Sequence, residues 1–255
     1  MIRAVAAAFS VAYWALVIVS MPVFFAGALL VFLATAALDR RRVALHLYSC
    51  FWASFYVYVN PLWRVRVLGR GKLPWRGPAV IVSNHLSLVD ILVLYGLYRP
   101  FKWVSKEENF KVPVVGWNMA LNGYVRLARG DRGSIRHMME RSLALLRQGS
   151  PLLIFPEGTR SPTGELQSFK MGAFTLAREA GCPVFPVALT GTADSLPKRG
   201  LVLRSTMRAV AEVLDPIDPA SLPGADALRD AARAAIAAAI ERRRAGTDAN
   251  RVGMA

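Results

Sequence analysis

Cysteine is nearly absent from this chain: Cys50 and Cys182 are the two among 255 residues, and histidine occurs only three times. Cys50 lies in an apolar stretch and Cys182 in Gly181-Cys182-Pro183, neither at metal-ligand spacing from another ligand. That excludes a disulfide framework and a cysteine-held metal, and reads as two unpaired thiols in a reducing compartment. Acidic residues are scarce too, 17 against 32 Lys and Arg, for a formal net charge of +15. The Gly-x-Ser-x-Gly elbow of serine hydrolases is missing. So is the Gly-x-x-x-x-Gly-Lys-[Ser/Thr] loop of nucleotide hydrolases. No repeat recurs at a fixed period.

A strongly basic chain commonly meets nucleic acid or anionic membrane. No window reads as a zinc finger, an RNA-recognition motif or a basic region leading into heptads. The chain is instead apolar, 54% hydrophobic, with a mean hydropathy of +0.34. Its first 63 residues carry Arg3, Arg40, Arg41 and Arg42 against Asp39, so +12 of the +15 lies in residues 64–255. An apolar start and a basic body favour anionic membrane lipid as partner over nucleic acid.

Residues 4–38 hold no charged side chain. As one helix this stretch extends about 52 Å, against about 30 Å of hydrocarbon in a bilayer. Pro22 and Gly27 mark where a break is easiest. Three readings compete: a cleaved signal peptide ending near Ala34-Thr35-Ala36, a single tilted span, and a broken helix or re-entrant hairpin. A second uncharged stretch, residues 43–63, carries Trp52, Tyr56, Tyr58 and Trp63, side chains suited to the headgroup level. Basic residues flank both stretches, so the positive-inside rule names no crossing. The expectation is a membrane-embedded N-terminal anchor, with dipping slightly favoured over crossing.

From residue 64 the pattern changes. Short β-branched runs at 65–68, 79–83, 102–105, 124–127, 152–155, 184–188 and 207–214 predict strands. Helical patterns at 87–98, 113–121, 131–148, 171–180 and 225–244 alternate with them. This alternation predicts an α/β fold with a mostly parallel sheet flanked by helices, behind the anchor. The division expected is 1–63 anchor, 64–220 α/β domain, and 221–255 C-terminal helix and tail. In that last helix Leu228, Ala232, Ile236 and Ile240 form one apolar stripe.

Chemistry concentrates in two places. Asn84-His85-Leu86-Ser87-Leu88-Val89-Asp90 follows an apolar run and sets a histidine and an aspartate five residues apart. On one straight helix they diverge by roughly 140°. They meet if His85 lies in the loop and Asp90 in the first helical turn, where Ser87-x-x-Asp90 also has capping-box spacing. Asp90 then reads either as a cap or as the partner of a general base. A neutral imidazole takes a proton from an alcohol while the carboxylate fixes its tautomer. His137 and Glu140, three apart on a polar helix, read as a solvated face rather than a metal site. The second cluster is Phe155-Pro156-Glu157-Gly158-Thr159-Arg160-Ser161. Gly158 permits close backbone approach, Thr159 offers a hydroxyl and Arg160 a phosphate-binding fork. Glu157 repels phosphate, so its expected role is to hold Arg160 or bind a hydroxyl.

Together these motifs resemble the 1-acyl-sn-glycerol-3-phosphate acyltransferases, over roughly residues 64–215. Asn84-His85-x4-Asp90 is similar to that family's catalytic motif, and Phe155 to Ser161 to its glycerophosphate-binding motif. Gly123 to Arg129 is similar to an intermediate motif, with Arg126 where the family usually has an aromatic. Phe169-Lys170-x-Gly172-Ala173 and Val184 to Leu189 are also family-like. The resemblance implies that His85, oriented by Asp90, deprotonates the sn-2 hydroxyl of a lysophospholipid. That oxygen attacks the thioester of acyl-CoA or acyl-carrier protein. Arg160 and the Gly158–Thr159 backbone hold phosphate, helped by Arg129, and Lys106 reaches an anionic group or the oxyanion. No metal or redox cofactor is implied. The product is phosphatidic acid, made at the cytoplasmic face of the inner membrane. Other acceptors (lyso-ornithine lipid, other lysophospholipids, glycerol 3-phosphate) and a non-catalytic lipid-binding protein are the rival readings.

Overall fold

The computed structural model describes residues 2–193, 195, 203 and 206–252. Seven strands form one sheet: β1 (Trp63–Leu68), β2 (Val80–Ser83), β3 (Lys102–Lys106), β4 (Val125–Leu127), β5 (Leu152–Ile154), β6 (Val184–Thr190) and β7 (Met207–Val213). Their order is β1-β7-β6-β2-β5-β3-β4. The five strands from β6 to β4 are parallel. β7 runs antiparallel to β6, and β1 parallel to β7. The α/β class expected from the alternation is the one found, and each expected strand is present.

Successive residues of the central strands point to opposite faces, as the pleat requires. Ile81, Leu153, Phe185, Val187 and Leu189 join one apolar cluster. Val80, Val82, Leu152, Val184 and Ala188 join the other. The first face is covered by helices α1 (Ile2–Thr35), α2 (Val43–Tyr58) and α3 (Val89–Tyr95), with α4 (Val115–Leu121) beside α1. The second is covered by α5 (Arg132–Arg147), α6 (Gly172–Glu179) and α7 (Ala225–Val252). Each fully buried aliphatic side chain contributes about 1.5–3 kcal/mol. On α7, Leu228, Ala232 and Ile236 are fully buried and Ile240 partly so.

The anchor differs from expectation in one respect. α1 is continuous through Pro22, with no break at Gly27. It lies antiparallel along α2, and that packing holds it together. Tyr13 Oη donates to Tyr56 O at 2.8 Å, and the Phe24 ring sits among Phe51, Trp52, Phe55 and Tyr56. A Cβ on Gly27 would fall 2.1 Å from Tyr48 Oη. Gly27 therefore serves close approach of two helices rather than a bend. The outward side of α1 is apolar and bare: Val11, Ile18, Val19, Val23, Leu30 and Leu33 are each at least 66% exposed. Residues 6–35 are long and apolar enough to cross a membrane, and a bare apolar face of this extent makes α1 a candidate membrane anchor.

Candidate active site

The parallel strands deliver the candidate residues to one edge. His85 follows β2, Glu157 to Arg160 follow β5, Lys106 closes β3 and Arg129 follows β4. All lie at carboxyl ends of parallel strands, where open α/β sheets place their ligands.

The chain leaves the sheet at Asn84. Its Nδ2 donates to Leu189 O at 2.9 Å, and its Oδ1 accepts from Leu189 N at 2.7 Å. The side-chain amide thus stands in for one more rung of the β2–β6 ladder, while the main chain turns away. His85 consequently sits in the loop and Asp90 in the first turn of α3. His85 Nδ1 meets Asp90 Oδ2 at 2.8 Å, with the carboxylate fully buried and the imidazole 13% exposed. Asp90 Oδ2 also accepts the N–H groups of Leu86 at 2.6 Å and Ser87 at 2.8 Å. Ser87 Oγ in turn accepts from Val89 N at 3.4 Å. The capping role and the histidine-orienting role of Asp90 are therefore one arrangement, with three donors converging on one oxygen. The imidazole stacks on Phe155, centroids 4.0 Å apart and planes 12° off parallel, and Phe155 lies against Trp103. With Nδ1 bonded to Asp90, Nε2 is the nitrogen left for chemistry.

Glu157 departs from its expected role. It is 4% exposed, and its carboxylate is engaged within the fold. Oε1 accepts the backbone N–H of His85 at 2.8 Å. Oε2 accepts Gln167 Nε2 at 2.9 Å and Gln167 N at 3.3 Å. Burial raises its pKa, against the lowering effect of those hydrogen bonds from His85 and Gln167. No ion pair joins it to Arg160 among the described residues. The reason is direction: the carboxylate points back toward β2, and the half-buried Arg160 has no ion-pair partner among the described residues. Thr159 is exposed beside it.

Gly158 adopts φ +72°, and a Cβ there would stand 2.9 Å from Lys170 Cε and Nζ. An exposed lysine thus lies across the glycine of this loop, its backbone N–H bonded to Pro156 O at 2.8 Å. Sequence reasoning left Lys170 out of the site. The only signal was the short Phe169-Lys170-x-Gly172 pattern, which does not reveal that Lys170 lies across Gly158. Lys106 is 40% exposed and pairs with Glu108 at 2.8 Å. Arg129 is exposed and follows the edge strand, about 14 Å from β2 at ordinary strand spacing. Arg126 lies 4.7 Å over the Phe110 ring. His137 is exposed on α5, and Arg136 pairs with Glu140 there. Both cysteines are buried and free.

Residues 64–190 match the acyltransferase family. A lyso-ornithine lipid O-acyltransferase of Pseudomonas aeruginosa is 33% identical over 185 residues, 67% of this chain and 70% of that one. This chain belongs to the acyltransferase family. A 1-acyl-sn-glycerol-3-phosphate acyltransferase of Chlamydomonas reinhardtii is 37% identical over 226 residues, 88% of this acyltransferase and 66% of that protein. The one from Arabidopsis thaliana chloroplasts is 38% identical, and 55% of it is covered. The acyltransferase thus spans about half to two thirds of the length of these 1-acyl-sn-glycerol-3-phosphate relatives. Its fold matches the crystal structure of the 1-acyl-sn-glycerophosphate acyltransferase PlsC from Thermotoga maritima, with a TM-score of 0.77 and 26% identity. That match covers 96% of this chain and 98% of that one.

Proposed function

We propose that this acyltransferase moves an acyl chain from acyl-CoA or acyl-carrier protein to the sn-2 hydroxyl of 1-acyl-glycerol-3-phosphate, making phosphatidic acid. The observation that carries the reading is the His85–Asp90 hydrogen bond at 2.8 Å, on a loop bonded to the Glu157–Ser161 segment whose Arg160 has no ion-pair partner among the described residues. His85 Nε2 takes the hydroxyl proton as the acceptor oxygen attacks the thioester carbonyl. The carbon–sulfur bond then breaks, and the same proton passes to the departing thiolate, so base and acid are one residue. Asp90 holds the tautomer and stabilises the imidazolium between those two events. Glu157 and Phe155 position the imidazole. Arg160 and Lys170, with the Gly158–Thr159 backbone, receive the acceptor phosphate, because a charge-assisted pair there gains about 1.5–3 kcal/mol. Lys106 reaches the oxyanion only by leaving Glu108, and Arg129 extends the basic edge toward the acidic donor.

The bare side of α1 seats the protein in one leaflet at the cytoplasmic face of the inner membrane, where the lysophospholipid already resides. α1 packs along α2 from Tyr13 to Gly27. Turning α1 across the bilayer would therefore draw the helix pair and the polar body in with it, at several kcal/mol per unsatisfied group. A second reading, lyso-ornithine lipid as acceptor, is favoured by the named activity of the Pseudomonas relative. An assay of the purified full chain with defined acceptors and donors separates the readings. Acylation of 1-acyl-glycerol-3-phosphate above all other acceptors is expected. Preference for lyso-ornithine lipid would overturn the acceptor assignment, and no transfer to any acceptor would overturn the enzyme.

A further inference from the structure

The outer flank of α2 borders a groove of about 500 Å³ lined by Leu47, Tyr58, Arg70, Trp75, Tyr98 and Arg99. It lies away from His85. Trp75 and Arg99 precede the N-terminal ends of β2 and β3, whereas His85 follows the C-terminal end of β2.

One wall is apolar. Leu47, Phe51 and Tyr58 are four and seven residues apart on α2 and share one side of it. Phe51 is 52% and Tyr58 77% exposed, on the helix that α1 joins to the membrane face. The other wall is cationic. The Arg99 guanidinium lies 4.6 Å over the Trp75 ring, and that of Arg70 lies 5.8 Å over the Tyr98 ring. Arg70 Nη2 donates to Gly96 O at 2.9 Å. Arg99 Nε and Nη1 donate to Leu73 O and Tyr98 O, each at 3.3 Å. These bonds orient both forks but use few of their N–H groups, since each guanidinium has five. Neither is ion-paired to a carboxylate among the described residues. Burial first and the Arg70 charge second hold the Arg99 guanidinium below its usual pKa.

Two like charges held together in an aromatic frame favour an anion between them, and phosphate is the anion that suits paired forks. A water-soluble phosphate gains nothing from the apolar wall. A lipid gains on both counts, and Trp and Tyr beside Arg is the composition of a headgroup-level site. We propose that this groove binds the phosphate of an anionic glycerophospholipid whose acyl chains lie on the Leu47–Phe51–Tyr58 flank, giving the protein a lipid site separate from its acceptor site.

The test is native mass spectrometry of the full chain, extracted in detergent after reconstitution with phosphatidylglycerol and phosphatidylcholine. It does not read acyl transfer, so it stands or falls apart from the proposed reaction. Retention of one phosphatidylglycerol is expected, about thirty-fold weaker in Arg70→Gln/Arg99→Gln, from about 1 kcal/mol per arginine. Arg64→Gln/Arg66→Gln removes the same charge from exposed positions on β1 and should leave retention within about two-fold. Arg70→Gln alone, at an exposed site, should weaken retention about five-fold with an unchanged melting curve, which removes misfolding as an explanation. Equal loss in the β1 control, displacement by excess sn-glycerol 3-phosphate, or no retention by the unmodified chain would each overturn the proposal.

Discussion

Glu157 Oε1 accepts the backbone N–H of His85 at 2.8 Å, and His85 O accepts Ser161 N at 2.8 Å. The loop after β5 is therefore stitched to the loop after β2 twice, at Glu157 and again at Ser161. The proposed base and the proposed phosphate-binding loop, held this way, keep their separation when substrate arrives, which is the geometric condition for orientation to lower a barrier.

Asp90→Asn is expected to lower kcat about 10²–10⁴-fold with acceptor and donor KM little changed. The amide puts N–H groups where Oδ2 now collects three donors. Steady-state kinetics in detergent check this, and a kcat near that of the parent chain would remove Asp90 from the mechanism.

Glu157→Ala should lower kcat about tenfold or more, because a misplaced base of even 1 Å is costly. Glu157→Gln keeps an acceptor for the His85 N–H and should recover part of that loss. An effect confined to acceptor KM in both variants would instead mean that Glu157 binds substrate.

Arg160→Ala and Lys170→Met are each expected to raise acceptor KM roughly tenfold or more while leaving donor KM unchanged. Gly158→Ala should resemble Lys170→Met, since its methyl would displace the lysine and its φ of +72° is disfavoured for alanine. Kinetics with acceptor varied at saturating donor decide the matter; an unchanged acceptor KM for Lys170→Met would exclude that lysine from the phosphate site.

Lys102 is buried at the start of β3, its Nζ donating to Asn122 O at 2.6 Å. Burial chiefly, then Arg42, lowers its pKa from 10.5 to about 7. The unfolded chain thus binds a proton that the folded chain refuses between those values, so this residue makes stability rise with pH from about 7 toward 10. The slope is at most about 1.4 kcal/mol per pH unit. Lys102→Met should flatten that rise relative to the parent chain in denaturant titrations at several pH values. Parallel curves for the two proteins would show that Lys102 is not the group responsible.

Val19→Lys/Val23→Lys places two charges on the bare side of α1, at about 2.5–3.5 kcal/mol each in hydrocarbon. Carbonate-washed membranes should retain less of this variant. Single cysteines introduced near Arg3 and Leu38 should label from the same side of sealed vesicles if the helix lies in one leaflet; labelling from opposite sides would establish a crossing.

Much of the fold was legible because its signals are local. The short continuous apolar runs of Val80–Ser83 and Val184–Thr190, buried on both faces, and the apolar stripe of Leu228, Ala232 and Ile236 are read from neighbouring residues alone. The proximity of His85 and Asp90 was legible as well, since both lie within one strand-to-helix turn. Glu157 was misread because its neighbour in sequence, Arg160, offers an obvious charge partner. Its real partners belong to His85 and Gln167. Gly27 was misread for a similar reason: alone it marks flexibility, whereas beside Tyr48 it marks close approach.

The chain by itself thus determined which residues can do chemistry, which strands they follow, and that one end is too apolar for water. Those properties reside in side-chain type, in short apolar runs and in the 3.6-residue helical period. Tertiary structure decided which loops meet. Parallel pairing of β2 with β5 brings residue 85 to residue 157, and the Lys170 N–H bond to Pro156 O lays Lys170 across Gly158. Antiparallel packing of α1 on α2 brings two apolar stretches together and leaves one side of α1 bare. Such contacts depend on strand order and helix docking, which arise from burial summed over the whole core.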